Sequence, residues 1–99
     1  MRVEQRDGSE FLAECFWPGV AAPDLRALDE RATAAAAEVS REGAPVTYLG
    51  YLLMREDEVV LCRFEGSADA VRTVAERAAI PFERIVATAA SPWAREPRS

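Results

Sequence analysis

Chemistry in this chain begins with Glu14, a carboxylate set among Phe11, Ala13, Cys15, Phe16 and Trp17. An unpaired carboxylate in so apolar a run costs free energy, so its partner decides its role. Across a sheet from Arg63 or Arg84 it is one half of a structural ion pair. Inside an apolar cavity it orients a ligand or exchanges a proton. Tyr48 and Tyr51 offer phenols to such a cavity, or else pack as strand tyrosines with their hydroxyls at a rim. Cys62 has no basic neighbour in sequence except Arg63, which suits a small core residue better than a nucleophile. Trp17, followed by Pro18-Gly19, plugs a strand end, and Phe64 supplies an apolar wall. The expected ligand-binding set is therefore Glu14, Trp17, Tyr48, Tyr51, Cys62 and Phe64, lining a cavity between sheet and helices. No residue is assigned a catalytic role, and none a metal.

Several chemistries lack their residues. The chain has no histidine, which removes the usual general base near neutral pH and excludes Ser-His-Asp and Cys-His arrangements. Two cysteines far apart, Cys15 and Cys62, give neither a C-x-x-C pair nor four soft ligands. Glycine-rich nucleotide loops, calcium loops and the hydrolase nucleophile motif are missing too, so no cofactor is expected. Twelve Lys and Arg against 17 Asp and Glu leave a net charge of −5, a field that repels phosphate and argues against nucleic acid. No apolar run approaches the roughly 20 residues of a membrane helix, and no membrane partner is expected. The polar first residues lack the apolar core of an export signal, so the expected location is cytoplasmic, with both thiols free.

The elements that must position these residues follow from periodicity. Within 99 residues there is room for one core. Residues 1–9 read as a flexible lead-in, 10–90 as a single domain and 91–99, with Pro92, Trp93 and Pro97, as a flexible arm. Phe11 to Trp17 is a strand stopped by Pro18-Gly19. Pro23 and Asp24 suit a first helical turn, and Leu25, Leu28, Ala32, Ala35 and Val39 form one apolar stripe that Gly43 ends. Val46–Met54 and Val59–Glu65 are strands joined by a short polar turn, hence an antiparallel hairpin. Ser67 caps a second helix whose inner face is Val71, Val74, Ala75 and Ala78. Phe82 to Ala89 is the last strand. The order β-α-β-β-α-β predicts a four-stranded antiparallel sheet with both helices on one face, an α+β architecture.

Helices on one side leave the other side of the sheet to water, yet the hairpin is apolar on both parities. Leu49, Tyr51 and Leu53 have one parity and Tyr48, Leu52 and Met54 the other; Val59 and Leu61 oppose Val60, Cys62 and Phe64. Uncovered apolar surface of this kind marks an interaction site, and the simplest partner is a second copy about a two-fold axis. A homodimer packed sheet to sheet is expected. The alternative is a terminal segment, from the first residues or the Trp93 arm, folded across that face.

The residues Ala13-Glu14-Cys15-Phe16-Trp17-Pro18-Gly19, Leu61-Cys62-Arg63-Phe64-Glu65-Gly66 and Arg77-Ala78-Ala79-Ile80-Pro81-Phe82-Glu83-Arg84-Ile85 resemble a family of small bacterial proteins of unknown function. That family has a ferredoxin-like fold and includes nickel-binding members. The resemblance runs from about Phe11 to Ala89 and implies kinship with the dimeric α/β-barrel superfamily, in which two sheets pack face to face. Family members often carry a histidine in the second helix where this chain has Val74, and a glycine where it has Ala79. Nickel binding is therefore not carried over, because imidazole is the donor that suits that metal. The expectation is a small dimeric protein binding an apolar or organic ligand. The alternatives are a cofactor-independent enzyme, of monooxygenase, isomerase or cyclase type, or a nickel-binding protein lacking the family histidines.

Overall fold

A computed structural model describes residues 9–89. The expected flexible segments, 1–9 and 91–99, lie outside the described residues except for Ser9. Along the chain come β1 (Glu10–Phe16), α1 (Ala22–Arg41), β2 (Val46–Met54), β3 (Val59–Gly66), α2 (Ala68–Arg77) and β4 (Arg84–Ala87). The strands form one antiparallel sheet in the order β2-β3-β1-β4. With two helices, this is a ferredoxin-like α+β fold, as the hydropathy pattern predicts.

Local chemistry explains the element ends. Asp24 sits in the first turn of α1 and its Oδ2 accepts from the Ala21 N–H at 2.9 Å, which satisfies one orphan donor and places negative charge at the positive end of the dipole. Ser67 caps α2 by accepting from the Ala70 N–H at 3.1 Å. At the other end of α2, the Arg31 Nε of α1 donates to the Ala78 carbonyl at 2.7 Å. Ser40, near the end of α1, donates to the Val46 carbonyl at 2.9 Å and accepts from the Val46 N–H at 3.1 Å, so the helix and the start of β2 are tied together. Gly66 ends β3 where an added Cβ would meet the Pro45 carbonyl at 2.9 Å, a close approach that only glycine permits.

One core lies between the helices and one face of the sheet. Leu25, Leu28, Ala32, Ala35, Ala36 and Val39 of α1 and Ala70, Val71, Val74 and Ala75 of α2 cluster with Ala13, Cys15, Val46, Val60, Cys62 and Phe64 of the strands. Small side chains on α1 let that helix lie close to the sheet. Strand β4 is shorter than the expected Phe82–Ala89. The Phe82 N–H donates to the Ile80 carbonyl at 2.8 Å and the Glu83 N–H to the Glu14 carbonyl at 2.8 Å, so the chain turns through Pro81 before regular pairing starts.

The hairpin parities need a correction. Tyr48 pairs with Phe64 and Gly50 with Arg63, so Leu49 is an extra residue in a β-bulge. Gly50 takes φ +104° there, in the range that glycine adopts without strain. The bulge shifts the alternation by one. Tyr48 therefore joins Tyr51 and Leu53 on the helix side, while Leu52 and Met54 share the far side with their partners Leu61 and Val59.

Candidate functional site

On the helix side, the bulge brings Tyr48, Tyr51, Phe64 and Cys62 to neighbouring positions of β2 and β3. The Tyr48 and Phe64 rings lie 5.3 Å apart, tilted by 53°, an arrangement that contributes beyond buried area alone. The Tyr48 hydroxyl donates to Asp29 Oδ1 of α1 at 2.6 Å. Burial first, then this bond, hold the Tyr48 phenol well above its ordinary range. It is a neutral donor at neutral pH, committed to Asp29 and unsuited to act as a base. Cys15 and Cys62 are both buried free thiols. Register sets them diagonally across β1 and β3, and the hydrogen bond with Cys15, with burial added, pushes the Cys62 thiol far up. A protonated, enclosed thiol is an inert core group.

Trp17 stands apart from this cluster, at the ends of the central strands. It borders a cleft of about 160 Å³ together with Gly19, Val20, Leu53, Arg55 and Glu58. The Trp17 N–H donates to the Glu58 carbonyl at 2.8 Å, so the hairpin turn is fastened to the end of β1. Leu53 is the link between cleft and core, lining the first and packing against the second.

Glu14 does not join either group. Its neighbours Ala13 and Cys15 are 0% exposed in the core, and strand alternation turns Glu14 to the opposite, open face. There it pairs with β4, where the Arg84 Nε donates to Glu14 Oε1 at 2.6 Å. Arg63, the other expected partner, instead donates to Glu10 Oε2 at 3.1 Å. Around these two ion pairs the open face is apolar: Leu12 and Val86 are register partners, as are Leu52 and Leu61, Met54 and Val59, and Phe16 and Val59. Phe16 is 53% exposed and Leu52 52%, with no described helix over them.

The residues first picked out thus divide among three places: Tyr48, Tyr51, Cys62 and Phe64 inside, Trp17 at the cleft, Glu14 on the open face. Three further residues belong with them and were not anticipated, namely Asp29, Arg55 and Glu58. Asp29 had a signal, since it sits one residue after Leu28 in the α1 stripe, near enough to the apolar side to meet a buried phenol. Arg55 and Glu58 had none, because a polar turn reads as solvent-facing.

These features define a class, a ferredoxin-like α+β domain in which no described residue covers one sheet face. Among solved structures the chain is similar to the crystal structure of SCO4226 from Streptomyces coelicolor A3(2). The TM-score is 0.67 at 21% identity, over 83% of this chain and 98% of that one. No family model matches the chain, nor does any curated protein. Val74, where members of the resembling family often carry a histidine, is 0% exposed in the core, and among the described residues no three His, Cys, Asp or Glu side chains group to hold a metal ion. Nor is any helix there long and apolar enough to cross a membrane.

Proposed function

We propose that two copies pack open face to open face, giving a dimeric α/β-barrel-type protein that binds a small apolar or organic ligand. The observation that carries this reading is the apolar open face, with Leu12, Leu52, Leu61 and Val86 across its middle and Phe16, Val59 and Met54 at one end. A two-fold axis sets such a patch against itself, and the Glu14–Arg84 and Arg63–Glu10 pairs that interrupt it offer charges of both signs to the second copy. The cleft at Trp17 lies on the other side of the sheet and stays open in that arrangement, which supports ligand binding by the dimer. Cytoplasmic residence agrees with two reduced thiols.

Sedimentation equilibrium tests the assembly. The expected result is a dimer for the parent chain and, for Leu61→Glu, association weakened by at least about thirtyfold, because each copy then brings a second carboxylate beside Glu14 into the contact. A parent chain that sediments as a single protomer at high concentration overturns it. Native mass spectrometry of protein from its own host tests the ligand, with a retained organic mass expected.

A further inference from the structure

The cleft bordered by Trp17, Gly19, Val20, Leu53, Arg55 and Glu58 combines three apolar side chains with one cation and one anion. We infer that it takes a small zwitterion with an apolar body, of the class of free aliphatic α-amino acids: carboxylate to Arg55, ammonium to Glu58, side chain against Trp17, Val20 and Leu53. This deepens the small-ligand reading and rests on it.

Size sets the first limit. About 160 Å³ is the space of roughly five waters, well below the ~300 Å³ at which drug-sized pockets begin. The occupant therefore has on the order of ten non-hydrogen atoms.

Charge sets the second. Arg55 and Glu58 bracket the hairpin turn, with the Glu58 N–H donating to the Arg55 carbonyl at 3.2 Å, and no ion pair joins either side chain to another described residue. Both residues lie in the turn and line the cleft together with Trp17. A ligand with a single charge would satisfy one of them and face the other without a partner. A ligand with both charges satisfies the pair.

The backbone supplies the third observation. Glu58 has φ +57°, the left-handed conformation in which a hairpin turn normally places glycine or asparagine. The Glu58 side chain is exposed, so packing does not explain a residue that strains the turn. Its carbonyl holds the Trp17 N–H, so the strained residue and the aromatic wall move as one unit. A carboxylate kept at a position where glycine would relax the chain fits a role in ligand contact.

The test uses the full chain with Trp93→Phe, which leaves Trp17 as the one tryptophan of the two. Its fluorescence is followed during titration with L-leucine, with 4-methylpentanoate, which lacks the ammonium, and with 3-methylbutylamine, which lacks the carboxylate. The expected result is a saturable response to L-leucine at least about tenfold tighter than to either single-charge probe. Arg55→Gln and Glu58→Gln should each weaken it by at least about fivefold. Glu58→Gly should raise the thermal midpoint while the leucine response is lost. Equal response to a single-charge probe, no saturation with L-leucine, or an unchanged response in Glu58→Gly overturns the inference. If native mass spectrometry still shows a retained organic mass, the small-ligand reading survives that failure; if it shows none, both fall together.

Discussion

The two faces of the sheet are built from the same strands and from residues of similar hydropathy, yet they end in opposite environments. Ala13, Cys15, Val60, Cys62 and Phe64 are 0% exposed, while their alternating neighbours Phe16 and Leu61 lie on the side that no described helix covers. Apolar character alone does not decide burial. What decides it is which face the crossover helices reach, and both crossovers in this topology return on one side. The covered face owes its closeness to Ala32, Ala35 and Ala36 on α1, whose small side chains let Phe64 and Tyr48 fill the space beneath. The open face has no such complement among the described residues.

Substitutions on the two faces turn this contrast into measurements. The largest effect should come from the covered side, where Phe64→Ala leaves a cavity and lowers stability by about 3–5 kcal/mol in a denaturant titration. On the open side Leu52→Ala should cost less than about 1 kcal/mol in dilute protein and more as concentration rises. An equal, concentration-independent cost at both sites would mean that something within the chain itself covers Leu52. Next in size, Tyr48→Phe removes the bond to Asp29 and should cost about 1 kcal/mol. Because the Tyr48 pKa is raised in the folded state above its ordinary value of 10.0, the unfolded chain loses that proton first. Stability is full below pH 10 and should fall as pH rises past it, and Tyr48→Phe should flatten that alkaline slope. The smallest effect belongs to Glu14→Gln, since Arg84 is largely exposed and surface pairs contribute little. Its thermal midpoint should stay within about 2 °C of the parent. Glu14 lies opposite Leu61 on the open face, so any larger loss should appear only at concentrations where copies associate.

Periodicity made much of the fold legible. The α1 stripe from Leu25 to Val39, the Ser67 cap and the limits of β2 could all be taken from side-chain spacing, because each is a local consequence of burying one face. Strand β4 was harder: Phe82 and Glu83 look like strand residues, but a turn at Pro81 uses them. The site was less legible than the fold. Glu14 stood out for its apolar neighbours, yet alternate side chains of a strand point apart, so those neighbours describe the other face. Its ion pair with Arg84 was one of two partners the sequence suggested. Asp29 and Tyr48 are 19 residues apart in sequence, and a contact between helix and sheet leaves no local pattern. Arg55 and Glu58 matter through the shape of a turn, which composition does not reveal.

Leu49 has a consequence for how β2 is threaded. Removing it would leave Tyr48 opposite Phe64 and Gly50 opposite Arg63 as consecutive pairs, so Tyr48 would keep its place beside Asp29 and only the bulge would vanish. Pairing Leu49 regularly instead would set it opposite Phe64 and turn the first half of the strand over, leaving Asp29 without its phenol and an aromatic ring on the surface proposed to meet a second copy. One unpaired residue thus decides inside and outside together, whereas most single substitutions in this strand touch only one.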